Sequence, residues 1–424
     1  MELAIIGLSL LFFGGHALQW VFEKTKVPDL LILIIIGHII GPVTGLVSQE
    51  SLGQVGQLVA TLALIVILYE AGLQLSTKDL KEAWGVSLVM SLFAFLSIAA
   101  LVVLITTPIV GFPFSLLIAF AAGSTSSAVV IPMVKFLSIE QRTKTILSLE
   151  SAFTDIFAIV LFLVTVEGIQ AGRMDVLSIF FNIGPKTLIS VLFGLIGAFA
   201  WAFARKKATF LTQMSFAGEA WALFCYGTAE VLTLNGALAV LSLGFCLANL
   251  NLLPAWMTKG FSRTPISRRD LTLLSQITLI LKTFFFLYLG MLASFANLEY
   301  VTVGLLITVC IFVTRWVSVK VLFPIQKGQS LLDVLTLTSM GPRGLACAVL
   351  ATIPLRLEFE SGFAIQQILF ATIPLTILFT AVFIFLSENP NFRQTFAFLF
   401  PRHPNELVVE KSRDSELNGS KTDA

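Results

Sequence analysis

One short segment gathers oxygen-bearing side chains in a pattern with chemical use: Glu150-Ser151-Ala-Phe-Thr154-Asp155, set in an otherwise apolar stretch. At helical spacing Glu150 stacks on Thr154, and Ser151 stacks on Asp155 beside them. Carboxylate and hydroxyl oxygens are hard ligands, suited to Na+, Li+, K+ or a proton and not to a soft metal. No His or Cys group accompanies them. Cys225, Cys246, Cys310 and Cys347 lie in apolar segments without CxxC spacing and read as small buried hydrophobes. No set of nucleophile, base and orienting group is visible, so an enzyme is not expected, and no cofactor is implied.

The other ionisable groups inside apolar stretches are Glu70, Glu219, Glu230, Lys282, Arg315 and Arg343. Each costs roughly 2.5–3.5 kcal/mol to place at mid-membrane, so those that persist are paired or functional. Glu150 and Arg343 are the expected structural ion pair, which leaves Asp155 without a basic partner, open to competition between a proton and a cation. Glu70 reads as a modulating group facing a cavity. Lys282 either partners the site or extends to the membrane interface. Arg315 is a candidate for a second intramembrane pair, and Glu219 and Glu230 read as helix-surface or interface carboxylates.

These residues must be held by membrane helices. The chain has 424 residues, 57% hydrophobic and only 12% charged, with mean hydropathy +0.93. An ordinary soluble protein is ~25% charged, and no soluble core hides this much apolar surface. The lipid bilayer is the expected surrounding. A net charge of +2 with no basic block outside short loops excludes nucleic acid as a partner.

A spanning helix needs ~20 mostly apolar residues. Thirteen segments qualify: 3–22, 29–47, 54–75, 85–106, 113–135, 147–167, 179–204, 212–232, 235–253, 272–296, 301–323, 332–354 and 363–386. The first is too long and lacks the basic start of a signal peptide. Alternate loops, with their flanking helix ends and the tail, carry 21 of the 27 Lys and Arg, whereas the opposite side carries Arg173, Lys186 and Arg356. The positive-inside rule then sets the N-terminus outside and the C-terminus in the cytoplasm. Residues 1–388 form the membrane region, and 389–424 form a polar tail too short for a regulatory domain.

Two spans carry runs that resist a continuous helix. Span 5 contains Gly123-Ser124-Thr125-Ser126-Ser127 and then Pro132; span 12 contains Ser339-Met340-Gly341-Pro342-Arg343-Gly344. Gly and Pro loosen the helical ladder, and backbone unwound at this depth must face protein or water. The runs are seven spans apart, so they cross in opposite directions. Spans 1–6 and 8–13 are expected to be inverted-topology repeats, with crossed broken helices at a midplane ion site.

Glu150-Ser151, two residues, then Thr154-Asp155 resembles the E-S-x-x-N-D motif of NhaP-like sodium/proton antiporters of the monovalent cation:proton antiporter superfamily. Four further segments agree in order: 27–42 (VPDLLILIIIGHIIGP), 68–80 (LYEAGLQLSTKDL), 234–249 (LNGALAVLSLGFCLAN) and 341–354 (GPRGLACAVLATIP). The resemblance implies a thirteen-helix inverted-repeat fold, a homodimer, and alternating access by a moving core. It implies that Asp155 carries the exchanged ion or proton, that Ser151 and the backbone near Thr125 help ligate the cation, and that Glu150 with Arg343 is structural. The chain departs from the motif at Thr154, where NhaP-like members have Asn. Ser126 stands where many relatives have the Asp of T-D-P.

The expected function is secondary-active exchange of a monovalent cation, Na+ or K+, for protons, electroneutral at 1:1, in the cell (inner) membrane. Alternatives are a K+ efflux or K+:H+ system, an organic-anion carrier of related design, which the acidic hydroxyl-lined span 6 argues against, and a non-transporting receptor or scaffold.

Overall fold

The computed structural model describes residues 2–25, 28–45, 49–74, 84–172, 184–208, 210–214, 216–250, 268–293, 295, 297–322 and 330–389. The tail beyond Asn389 and many of the cations in the loop charge count, Lys78, Lys81, Arg173 and Arg263 among them, lie outside the described residues.

All regular structure among the described residues is helical. Helix α1 is Glu2–Thr25, and α2 is Asp29–His38, continued by a π-helical turn Ile39–Val43. There follow α3 (Gln49–Gln74), α4 (Trp84–Val110), α5 (Phe112–Gly123), α6 (Ser127–Phe136) and α7 (Gln141–Gln170). Next come α8 (Gly184–Lys207), a short α9 (Phe210–Gln213), α10 (Ala217–Val231) and α11 (Gly236–Asn249). The chain continues through α12 (Arg268–Leu292), α13 (Leu298–Leu322), α14 (Leu331–Ser339), α15 (Leu345–Arg356) and α16 (Gly362–Glu388).

Six helices among the described residues are long and apolar enough to cross a membrane, lying in α4, α7, α8, α12, α13 and α16. Large apolar side chains of these helices, such as Leu104, Leu188, Leu298 and Phe385, are exposed. Such surface is stable against lipid and not against water. This is an integral, multi-pass membrane protein.

The helices pack in two groups. One comprises α4, α5, α6, α7, α13, α14, α15 and α16; the other comprises α1, α2, α3, α8, α10, α11 and α12. They meet where α15 touches α3 and α12, and where α16 touches α2. In the second group α3 and α11 cross at Gly72 and Gly244, where a Cβ on either would strike the opposite backbone. Small residues at such crossings let membrane helices approach closely.

The first group contains both interruptions. Helix α5 follows Gly111 at φ +83°, a conformation that glycine adopts at little cost. It stops at Gly123, Ser124 and Ser126 are extended, and α6 begins at Ser127. Helix α14 opens on a reciprocal Ser330–Asp333 capping box, and Asp333 Oδ1 also accepts from the Glu140 N–H at 2.9 Å. The starts of α14 and α7 are thereby tied together. Helix α14 ends at Ser339, and α15 resumes at Leu345 after five non-helical residues that include Pro342, which has no N–H to give.

Candidate ion site at the crossed helix breaks

The two interruptions touch. The Ser126 N–H donates to the Pro342 carbonyl at 2.8 Å, so each supplies backbone partners that the other has lost. The Thr125 N–H donates to Thr154 Oγ1 at 3.0 Å, and the Arg343 N–H donates to Thr376 Oγ1 at 2.9 Å. Helices α7 and α16 thus hold the crossing from either side.

Helix α7 presents the stripe expected from its spacing, with Glu150, Ser151 and Thr154 at 0–1% exposure and Asp155 at 8%. Glu150 is paired with Arg315 and not with Arg343. Arg315 Nη1 and Nη2 donate to Glu150 Oε1 and Oε2 at 2.5 and 3.0 Å. The same guanidinium donates to the Leu337 carbonyl from Nε at 3.1 Å and Nη2 at 2.8 Å. Leu337 lies in the last turn of α14, where the break leaves carbonyls orphaned and the helix dipole is negative. That double demand draws in Arg315 from α13.

Arg343, fully buried, donates from Nη1 to Thr125 Oγ1 at 3.0 Å and to the Gly341 carbonyl at 3.4 Å. No carboxylate lies within ion-pair distance of it among the described residues, and its Nε and Nη2 have no hydrogen-bond partner there. Both guanidiniums serve the broken backbone, which leaves Asp155 as the acidic group beside the crossing.

Asp155 lies at the start of α6, where Oδ2 accepts from Ser127 Oγ at 3.2 Å. Its Oδ1 and the buried Oγ of Ser126 have no hydrogen-bond partner among the described residues. A helix N-terminus complements negative charge with its free N–H groups and dipole. Asp155, Ser126 and Ser127 line a cavity of about 530 Å³ between the two helix groups. The opposite wall includes Asp29, Glu70 and Lys282. Lys282 Nζ pairs with Asp29 Oδ2 at 2.8 Å, so its partner is neither Asp155 nor the interface.

The sequence-predicted residues therefore separate into two sets. Asp155, Ser126, Glu70 and Lys282 reach the cavity. Ser151, Thr154 and Thr125 do not line it. Ser151 Oγ donates to the Ser148 carbonyl at 2.9 Å, and Thr154 Oγ1 donates to the Glu150 and Ser151 carbonyls at 3.0 and 3.1 Å. Their hydroxyls are occupied by helix backbone, and Thr154 is a brace for the break. Sequence reasoning missed Ser127 and Asp29. Ser127 stands in the same Gly-Ser run, but its role depends on α6 starting there. Asp29 opens α2 directly before an apolar run. Glu219, expected on a surface or interface, is buried at 2% exposure; Glu230 is exposed, and its Oε1 accepts from the Gly236 N–H at 2.9 Å.

No group of three or more His, Cys, Asp and Glu is placed to hold a metal ion among the described residues. One carboxylate oxygen and neutral hydroxyls instead suit a singly charged guest.

Residues 8–387 match the family model described as sodium/hydrogen exchanger, transmembrane. The chain is 21% identical over 359 residues to a probable Na+/H+ antiporter 2 of Methanocaldococcus jannaschii, covering 81% of this chain and 82% of that one. It is 32% identical over 152 residues to the low-affinity Na+/H+ antiporter NhaS1 of a Synechocystis species, covering 35% of this chain and 27% of the other. Among solved structures it resembles the sodium proton antiporter MjNhaP1 of Methanocaldococcus jannaschii at pH 8, with TM-score 0.73, 21% identity, and coverage of 92% of this chain and 99% of that one. That likeness fixes the fold, and the family match spans almost the whole helical region. The chain belongs to the transmembrane sodium/hydrogen exchanger family.

Proposed function

We propose that this chain exchanges a monovalent cation, Na+ or K+, for protons across a cell membrane, with Asp155 as the one carboxylate that takes either. The observation that carries this reading is Asp155 at the crossed breaks, facing a cavity with Oδ1 unpartnered and Oδ2 on Ser127. A carboxylate that holds a proton or a cation, but not both, couples the two flows. Exchange replaces leak if the helix group that bears Asp155 crosses only when the carboxylate is occupied. One exchanging carboxylate gives 1:1 electroneutral stoichiometry.

The rest of the reading follows from that. Thirteen spans within 1–388 form two inverted repeats, and 389–424 is a cytoplasmic tail. The N-terminus is outside, in the cell (inner) membrane. Asp29 and Glu70 then stand at the cytoplasmic ends of α2 and α3, and the cavity opens inward. The group with the two breaks moves, while the group of α1–α3, α8 and α10–α12 stays still within a homodimer. Glu150 with Arg315 is the structural pair, and Glu70 and Lys282 modulate the site.

A K+:H+ system is the second reading, favoured by Ser126 and Ser127. Among the described residues, these neutral hydroxyls leave Asp155 as the sole anionic group on its wall of the cavity, a weak field for a small ion. The similar Na+/H+ antiporters favour Na+.

Acid-loaded vesicles that contain the purified protein, given Na+, K+ or Li+ separately at imposed membrane potentials, test the proposal. Cation-driven alkalinisation that is insensitive to potential and lost in Asp155→Asn is expected. Full exchange by Asp155→Asn would overturn it.

A further inference from the structure

The cavity that Asp155 faces has one Lys or Arg in its lining among the described residues, Lys282 on α12. Ser275, Thr278, Leu279 and Lys282 recur at helical spacing, so one face of α12 looks into it. A positive charge there opposes entry of a cation. Asp29 answers that charge. It is the first residue of α2, directly after Pro28, where free N–H groups and the helix dipole favour a carboxylate. Its Oδ2 accepts from Lys282 Nζ at 2.8 Å, with the two side chains 13% and 14% exposed. Further along the same two helices, Gly37 and Gly290 bring the backbones into contact, which fixes α2 against α12.

Lys282 has a second acceptor in the same space. From the facing wall Asp155 lines the cavity, and its Oδ1 has no hydrogen-bond partner among the described residues. An ammonium is a compact charge on a flexible four-carbon stem, so it can take the place of an alkali cation on a carboxylate. Lys282 and Asp155 belong to different helix groups, whereas Lys282 and Asp29 belong to the same one. A Lys282–Asp155 pair would fill the exchange site and tether one group to the other. The Lys282–Asp29 pair does neither.

We infer that Asp29 is a positioning residue for exchange: it holds Lys282 on its own wall and keeps the ammonium from acting as a captive cation on Asp155. The inference rests on Asp155 as the exchanging carboxylate. Its consequence is a built-in competitor that stays silent while Asp29 is charged and in place.

The test is a double-mutant cycle of Asp29→Asn and Lys282→Met in the full chain, read as initial rates of Na+- or K+-driven alkalinisation in vesicles across cation concentrations. With Lys282 present, Asp29→Asn raises the apparent cation KM roughly tenfold and keeps the maximal rate, because saturating cation displaces the ammonium. In the Lys282→Met background the same substitution changes KM by less than about twofold. Equal rises in both backgrounds would mean that Asp29 acts only through its charge on the cavity, and would overturn the inference. An unchanged KM with Lys282 present, as when Glu70 takes up the ammonium, would overturn it too. So would a fall in maximal rate at constant KM, which marks a structural pair. If Asp29→Asn does not fold, Asp29→Ser takes its place, and folding of either only together with Lys282→Met would again make the pair structural. Asp155→Asn in the same vesicles reports separately on the exchange site. Full exchange by that variant would remove the reading beneath the inference, whereas the cycle alone decides the role of Asp29.

Discussion

Arg315 grips Glu150 through two parallel hydrogen bonds of 2.5 and 3.0 Å, with both side chains at most 1% exposed. The same guanidinium closes the Leu337 carbonyl at the end of α14. A single side chain thus fixes α7, which carries Asp155, to the broken helix it faces. Removing one partner of a buried pair strands the other charge, at about 3–5 kcal/mol. Arg315→Met is therefore expected to lower the melting temperature strongly, and Glu150→Leu in the same chain to recover part of the loss. Arg343→Met, which breaks no ion pair, should gain nothing from Glu150→Leu. Double-mutant melting curves check both statements.

Thr154 gives a different separation. Its hydroxyl accepts from the Thr125 N–H and donates to α7 carbonyls. Thr154→Val leaves a buried N–H without a partner, at about 1–3 kcal/mol. Stability should fall while the apparent KM for the cation changes little, because Thr154 does not line the cavity. A large rise in KM with unchanged melting would make Thr154 a ligand.

Ser127 has the opposite expectation. It is half-buried, faces the cavity and donates to Asp155 Oδ2. Ser127→Ala removes a hydrogen bond to a charged group, and the apparent cation KM should shift by roughly tenfold with melting nearly unchanged. Initial rates in vesicles across cation concentrations read this directly.

Competition at one carboxylate fixes the sign of the pH dependence. Lower pH puts a proton on Asp155 more of the time and keeps the cation off. The apparent cation KM should rise as pH falls, by up to about tenfold per pH unit, with the maximal rate unchanged. A maximal rate that falls while KM stays constant would argue for a separate inhibitory proton site.

Much of this architecture is legible in the residues. The Gly-Ser run at 123–127 and the Gly-Pro-Arg-Gly run at 341–344 mark both breaks, because few other residues unwind a membrane helix without cost. The Glu150–Asp155 stripe follows from the helical period. The pairing of Glu150 does not, since periodicity places a side chain on a face without saying which helix covers that face. The sequence points to Arg343, in the helix break, as the partner, and the orphaned Leu337 carbonyl draws Arg315 there instead. Helical spacing offers Ser151 and Thr154 as oxygen ligands beside Asp155, but hydroxyls in a helix can bond back to the preceding turn, and these do. Asp29 opens its helix, and nothing in its neighbours names Lys282, 253 positions away, as its partner.

The central claim is that Asp155 serves proton and cation in turn. Proton release from purified protein in weakly buffered detergent solution, measured as Na+ or K+ is added at a pH where the exchange site is protonated, tests this most directly. The account predicts about one proton released for each cation bound at the exchange site, and none in Asp155→Asn. Undiminished release by Asp155→Asn would contradict it.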